Sequence, residues 1–183
     1  MSIEVAAPPH VELVRRFVNT LDVEEATDAL SKPDDAAAWF QAQGLLPAGT
    51  PVTLDDIALA RQLRDGLRDI LTSHHDSAPP PPEAVRSLRA AAARAPVIVT
   101  LDDDGSTHLE PATDGVAGAL ARVLAAVHRA ALDGAWDRLK ICLRDDCRWA
   151  FYDASRNRSG KWCTMAVCGN RTKVERFRGH DRA

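Results

Sequence analysis

The stretch KICLRDDCRWAFYDASRNRSGKWCTMAVCGNRTK, residues 140–173, contains all four cysteines of the 183-residue chain. The cysteines form two Cys-x4-Cys pairs that are separated by 15 residues. Two short loops with this spacing can bring four sulfurs to one tetrahedral point, which is the arrangement of structural zinc sites. The pattern predicts a Zn²⁺ ion held by Cys142, Cys147, Cys163 and Cys168.

Three other interpretations of the thiols stay open from the residues alone. Disulfides are disfavoured, since the N-terminus lacks a basic, apolar leader and the protein is expected in the cytoplasm, where thiols remain reduced. A redox switch would use the arginines beside the thiols, because nearby cations lower thiol pKa values. A catalytic zinc needs an open coordination position, and His180 in place of one cysteine is the minor option for it.

The local patterns around the cysteines predict a small treble-clef-like module over residues 138–183. Residues 148–153 alternate as a short strand does, residues 155–161 form a polar, basic turn, and a helix follows Cys168. A module of this size cannot bury a sufficient core of its own. Metal binding would therefore supply much of its folding free energy.

Charge divides the chain at about the same place. Residues 138–183 contain 12 Lys and Arg against 5 Asp and Glu, whereas residues 1–137 contain 11 against 21. An acidic body joined to a basic module is typical of a protein that contacts a polyanion. The alternative is that the oppositely charged halves attract each other within or between chains.

Residues 1–137 predict a mostly helical domain with one β-hairpin, so that the whole chain is mostly α with a small β component (α+β). Apolar periodicity and end signals place helices at about residues 10–21, 34–43, 53–72, 83–94 and 114–132. Residues 96–111 read as a hairpin with an acidic turn. No window approaches the roughly 18 apolar residues that cross a bilayer, so no membrane partner is expected.

Two polar groups in this domain have both functional and structural interpretations. Asn19 and Thr20 either form the floor of a ligand pocket or bond backbone groups at a helix end, and the second is favoured. His74, His75 and Asp76 resemble a metal triplet but precede a proline run, which favours a solvated loop. The small-molecule ligand is unknown, and because no catalytic motif is recognisable the protein is not expected to be an enzyme.

Residues 138–173 closely resemble the CGNR zinc finger, a family named for the residues that stand here as Cys168 to Arg171. The resemblance includes Trp162 and residues 151–153. Residues 17–22, FVNTLD, also look like the opening motif of the ABATE domain, which is usually found ahead of this finger. The resemblance implies an alpha-beta N-terminal domain and a bacterial, stress-associated transcriptional regulator whose finger binds DNA.

A DNA-binding finger would contact phosphates mainly through basic side chains in its loop and on its last helix. These candidates are Arg156, Arg158, Lys161, Arg171, Lys173, Arg176 and Arg178. For Asn170 and Arg171 a structural role is favoured over reading bases. The sequence does not separate DNA from RNA, nor a regulator from an adaptor that docks a protein. A single small finger gives limited specificity, so a homodimer, formed through the alanine-rich helices, is one expectation.

Overall fold

The computed structural model describes residues 6–76 and 78–180, and their side chains except those of residues 176 and 178–180. The predicted class is confirmed: helices dominate, the sheets are small, and the cysteines cluster in a zinc-finger-like module. The helices are α1 (Pro9–Val18), α2 (Pro33–Ala42), α3 (Leu54–Ser73), α4 (Pro82–Arg94), α5 (Gly115–Leu132) and α6 (Asn170–His180). A 3-10 turn spans Trp136–Arg138, and a π-helical turn spans Met165–Gly169.

In the part of the chain that the structure describes, the strands form three two-stranded antiparallel sheets. They are β1 (Leu21–Asp22) with β2 (Thr27–Asp28), β3 (Val97–Leu101) with β4 (Thr107–Pro111), and β5 (Leu139–Ile141) with β6 (Ala150–Tyr152). The β3–β4 hairpin was predicted. The β1–β2 hairpin was not, because two-residue strands are too short to show a period.

The longest helix begins where its capping residues predict. The Thr53 hydroxyl accepts a hydrogen bond from the Asp56 N–H at 3.1 Å, and the Asp56 carboxylate accepts one from the Thr53 N–H at 2.9 Å. This reciprocal capping box satisfies two N–H groups that the start of a helix leaves without partners. The helix then runs for 20 residues to Ser73, where the predicted loop begins.

The expectation that no segment could span a bilayer needs correction at α5. By length and composition alone, this helix is apolar enough to cross a membrane. Eight of its residues are buried, and it packs against α1, α3 and β4 in the main hydrophobic core. Its position at the centre of the fold accounts for its apolar composition.

The β5–β6 hairpin packs onto the helical domain and is held there at both edges. Leu139, Ile141 and Ala150 belong to the main hydrophobic core. At the β6 edge, Asn19 donates to the Ala150 carbonyl at 2.9 Å and accepts from the Ala150 N–H at 2.7 Å. The favoured interpretation of Asn19, a bond to backbone groups, therefore agrees with the structure. The predicted division at residues 137 and 138 stays a prediction, since this packing joins the two sides.

The β5 edge is satisfied by two histidines that were expected in a solvated loop. His74 donates from Nδ1 to the Leu139 carbonyl at 2.9 Å, and His75 donates from Nε2 to the Ile141 carbonyl at 2.6 Å. Burial lowers the pKa of both imidazoles, which favours the neutral rings. The expectation of a solvated loop is wrong for the two histidines, because they are half-buried against β5.

A buried arginine connects three separate segments of the chain. Arg68 donates to the carbonyls of Val18 at 3.0 Å, Leu21 at 3.4 Å and Arg148 at 2.8 Å. Burial lowers the pKa of its guanidinium, so these carbonyl bonds offset a desolvation cost. Arg68 thereby ties α3 to the end of α1 and to the segment that joins the first cysteine pair to β6.

We expect Asn19→Ala to lower the free energy of unfolding by about 1–3 kcal/mol, because it leaves both backbone groups of Ala150 without partners. Chemical denaturation followed by circular dichroism measures this loss. The matched control is Asn157→Ala, which removes an exposed asparagine and should change stability by less than about 0.5 kcal/mol. Equal stabilities for the two variants would contradict the role assigned to Asn19.

Candidate metal centre

The four sulfurs converge as the spacing predicted. All four Sγ atoms lie within 4.8 Å of one another. The Sγ of Cys163 is 3.7 Å from that of Cys147 and 3.5 Å from that of Cys168. A tetrahedral ion with Zn–S bonds of about 2.3 Å requires sulfurs about 3.8 Å apart, whereas a disulfide requires about 2.05 Å. The cysteines are free thiols, and their separations suit a shared metal ion.

The first pair of cysteines is presented by the β5–β6 hairpin. Cys142 follows β5 directly, and its N–H donates to the Trp149 carbonyl at 2.8 Å, which extends the strand pairing by one step. Between the two cysteines the chain turns back, with the N–H of Cys147 bonded to the Arg144 carbonyl at 3.1 Å. Arg148 then adopts a left-handed conformation with φ of 53°, which redirects the chain into β6. The core that holds the hairpin therefore also fixes these two sulfurs.

Of the second pair, Cys168 lies on the π-helical turn that leads into α6, and Cys163 lies two residues before that turn. The Thr164 hydroxyl accepts from the Val167 N–H at 3.3 Å, and the Thr164 carbonyl accepts from the Gly169 N–H at 3.1 Å. A Cβ on Gly169 would lie 2.9 Å from the Met165 sulfur and 3.2 Å from the Trp162 ring. A larger residue here would therefore require the exposed Met165 side chain to move and the Trp162 ring to shift slightly.

A single backbone bond joins the two cysteine loops to each other. The N–H of Leu143, just after Cys142, donates to the Lys161 carbonyl, two residues before Cys163, at 3.0 Å. The half-buried rings of Trp149 and Trp162 pack against the cysteines. The sulfurs therefore sit in an apolar enclosure, with Cys163 the most accessible of them.

The electrostatics of the thiols explain why a cation suits the site. Burial opposes ionisation of Cys142, but hydrogen bonds from the N–H groups of Arg144 and Cys163 hold its pKa below the usual value. Burial raises the pKa of Cys168 to about 12 and that of Cys163 higher still, and the charge on Cys142 adds to both shifts. Four thiolates can share this volume when a multivalent cation compensates their charge, and soft thiolate ligands suit zinc. The cluster therefore indicates a metal site.

A buried ion pair organises the loop between the cysteine pairs, and sequence reasoning missed it. Lys140 and Asp153 are 1% and 4% exposed, and Lys140 Nζ lies 3.0 Å from the Asp153 carboxylate. The same carboxylate accepts from the N–H of Ser155 at 3.0 Å and of Gly160 at 2.7 Å. Lys140 also donates to the Arg158 carbonyl. The available signal was a lysine within the apolar run LKI, since a charge in a buried strand needs a partner.

These hydrogen bonds hold the pKa of Asp153 at about 2. Burial alone would raise the pKa, but the bonds from Ser155, Lys140 and Gly160 outweigh it. The carboxylate thus stays ionised and acts as the fixed centre around which residues 153–160 turn. Arg138 reinforces the turn by donating to the carbonyls of Asp153 at 3.0 Å and Ser155 at 2.9 Å.

Apart from Arg171, the candidate nucleic-acid contacts fall into three groups. Arg156, Lys161 and Lys173 are exposed and make no side-chain hydrogen bond or ion pair within the described residues. Arg158 is exposed and lies 3.6 Å from the Asp137 carboxylate. The side chains of the remaining two predicted contacts on α6, Arg176 and Arg178, lie outside the described residues, as does that of His180.

The two polar residues that end the CGNR motif are exposed, but each contacts another group of the protein. Asn170 donates from its side chain to the Ala166 carbonyl at 3.1 Å and so closes the turn before α6. Arg171 pairs with Glu24 in the β1–β2 loop at 2.6 Å. This contact raises the pKa of the guanidinium, mainly through the hydrogen bond to Glu24. Both observations agree with the expectation of structural roles, although the acidic partner of Arg171 was not foreseen.

We expect Gly160→Ala to destabilise the module by about 1–3 kcal/mol, because a new Cβ would lie 2.8 Å from the Asp153 carboxyl carbon. The carboxylate cannot retreat without releasing Lys140 or Ser155. Thermal denaturation compares this variant with Ser159→Ala, which changes an exposed neighbour and should melt like the wild type. Retention of the wild-type midpoint by Gly160→Ala would show that the loop does not depend on this carboxylate.

Comparison with known families gives two adjoining matches and accounts for most of the chain. The ABATE family, described as "Putative stress-induced transcription regulator", matches residues 12–135. The CGNR zinc finger matches residues 138–180. Neither of these is an enzyme family, and no curated protein matches the chain. The chain therefore belongs to the ABATE family and carries a CGNR zinc finger behind it, as the two sequence motifs predicted.

Proposed function

We propose that this protein is a bacterial, cytoplasmic transcription regulator of the stress response that binds DNA through a zinc-stabilised C-terminal module. The observation that carries the proposal is the junction of a four-cysteine metal site with two exposed basic segments, residues 154–161 and α6. The metal site holds both segments, since one precedes Cys163 and the other follows Cys168. The protein is not an enzyme in this proposal.

Zinc is the proposed ion, and its ligands are the four cysteines. Structural zinc sites are closed, with four protein ligands and no position left for substrate. Four thiolates fill such a shell, and three of the four cysteines are buried. The ion would supply folding free energy to the segment after Lys161, which contributes little to the main core. Free, reduced thiols also agree with a cytoplasmic location.

We expect reduced, purified protein to contain one zinc per chain, measured by elemental analysis, and Cys163→Ser to lose most of it. Chelation should lower the melting temperature without abolishing the helical circular dichroism, because the β5–β6 hairpin stays packed on the main core. The control is Thr172→Ser, which keeps the hydroxyl that bonds the Cys168 carbonyl and should keep the zinc. Wild-type protein that lacks metal while residues 140–173 remain folded would refute the zinc site.

The proposed DNA contacts are fewer than the basic composition suggests. Several cations of residues 138–183 are already neutralised within the protein: Lys140 by Asp153, Arg144 by Asp146 and Glu175, and Arg171 by Glu24. Besides the exposed but paired Arg171, the described exposed cations are Arg156, Arg158, Lys161 and Lys173, of which Arg158 lies 3.6 Å from the Asp137 carboxylate. Phosphates are contacted by such exposed cations, and each contact releases counterions. A weak, salt-sensitive interaction per copy is therefore expected.

The N-terminal domain is proposed to sense a signal and pass it to the finger. Its side chains contact the finger at several points, among them Asn19, Glu24, Arg68, His74 and His75. A ligand that shifted α1 or α3 would displace β5, β6 or α6 through these bonds. The ligand itself stays unknown.

An adaptor that docks a protein partner is the second candidate, and one observation favours it. Along the π-helical turn and α6, Met165, Val167, Val174 and Phe177 are exposed, with Phe177 at 71%. An apolar stripe on a helix is typical of protein docking, whereas phosphate contacts need cations. Capture of one stoichiometric protein partner, unaffected by nuclease, would favour the adaptor.

We expect the zinc-loaded protein to bind mixed-sequence duplex DNA, with a logarithmic salt slope of about −3 to −4 for about four phosphate contacts. The double variant Arg156→Ala with Lys161→Ala should make this slope less steep by about two, since each lost phosphate contact removes about one from its magnitude. Fluorescence anisotropy at several salt concentrations measures both values.

The control for this experiment is Arg89→Ala, which removes an exposed cation from α4 and should leave the slope unchanged. An absence of binding at low salt by zinc-loaded wild-type protein would reject DNA as the partner. Equal affinity for single-stranded RNA of matched length would reject the choice of DNA over RNA.

A further inference from the structure

Strand β3 is an exposed and unprotected sheet edge. Its sequence, VIVTL, contains no charge and no proline. Val99 is 62% exposed and Leu101 is 74% exposed. Natural proteins usually protect an edge strand with charges, prolines, bulges or a covering element, because its free N–H and C=O groups pair readily with another chain. β3 has none of these protections among its own residues.

The hydrogen-bond register shows which groups of β3 point outward. The Asp102 N–H donates to the Ser106 carbonyl, and the Ala112 N–H donates to the Pro96 carbonyl. Bonded pairs recur every second residue in an antiparallel ladder. Thr100 and Ile98 therefore bond β4, while the N–H and C=O groups of the odd-numbered residues, Val97, Val99 and Leu101, point away from it.

The other edge of the same hairpin is protected. β4 contains Pro111, which has no N–H to offer, and the ionisable residues His108 and Glu110. It also lies closer to α5 than β3 does. The contrast between the two edges marks β3 as the pairing edge of the hairpin.

The charges on either side of β3 indicate which chain pairs with its free edge. The turn after the strand contains Asp102, Asp103 and Asp104, and α4 before it ends at the exposed Arg94. In an antiparallel pairing centred on Val99, residues equally far before and after Val99 face each other. The acidic turn that follows β3 in one copy then lies on the side where α4 of the second copy, ending at Arg94, leads into its own β3. The acidic turn of each copy thus meets the basic helix end of the other, and symmetry makes the contact twice.

We propose that two copies of this chain associate by antiparallel pairing of β3 with β3 about a two-fold axis at Val99, forming a four-stranded sheet. On one face of that sheet, Leu101 of each copy packs beside Val97 of the other, which covers its exposed apolar surface. The contact is self-complementary, as two-fold interfaces require. It differs from the expected dimer through the alanine-rich helices, and it does not depend on DNA binding.

Wild-type protein with zinc and without DNA is expected to show a monomer–dimer equilibrium in sedimentation velocity between micromolar and hundreds of micromolar concentrations. A five-residue strand pairing lies near the small end of specific interfaces, so dissociation on dilution is expected. Val99→Lys should weaken the dimer at least tenfold, because it places two ammonium groups opposite each other. The control is Leu54→Lys, which changes a leucine that is 73% exposed at the start of α3 and should dimerise normally.

A charge reversal tests the contact between the acidic turn and the end of α4 without changing the strand. Arg94→Glu should weaken the dimer, and adding Asp103→Arg should restore it. Asp103 is chosen because Asp104 already accepts the Ser106 N–H at 2.8 Å within the turn. Wild-type protein that stays monomeric at hundreds of micromolar, or a dimer that survives Val99→Lys, would overturn the proposal. A failure of the double variant to recover would overturn the proposed contact between the acidic turn and the end of α4.

Discussion

The two open edges of the β5–β6 hairpin are the constraint on which the candidate site depends. A two-stranded sheet leaves alternate N–H and C=O groups without partners on both sides, and such groups are costly to bury. In this protein the helical domain supplies their partners, with Asn19 on one edge and the two histidines, His74 and His75, on the other. The hairpin is consequently part of the main core. The packed hairpin fixes the positions of Cys142 and Cys147, so half of the metal site is positioned by the main core.

This support changes the expected relation between metal and folding. A finger that stands alone depends on its ion for folding, because it cannot bury enough apolar surface. Here Leu139, Ile141 and Ala150 are already buried against α1 and α3. The ion therefore has less to stabilise, chiefly the π-helical turn and α6, which carry Cys168 and the last basic side chains. Zinc loss would then release the distal segment while the hairpin stays in place.

Sequence patterns predicted the features that depend on near neighbours. The capping of α3 by Thr53 and the turn of the β3–β4 hairpin are set within a few residues, and the cysteine pattern within one short stretch of chain, residues 142–168. The partners of Asn19, Lys140 and Arg171 were not predictable in this way. Asn19 and Ala150 are 131 residues apart, and Glu24 and Arg171 are 147 apart. A local pattern shows that a polar group needs a partner, but the tertiary fold decides which group provides it.

The same limit affects reasoning from net charge. The excess of cations in residues 138–183 suggested a surface for a polyanion, yet the structure neutralises Lys140, Arg144 and Arg171 internally. Only a cation that remains exposed can exchange its counterions for phosphates. The basic count therefore overstates the charge that the proposed DNA binding could use, and one copy of the finger would offer only a few contacts. A second copy would double those contacts, and the proposed association through β3 would provide it without using the surface that carries them.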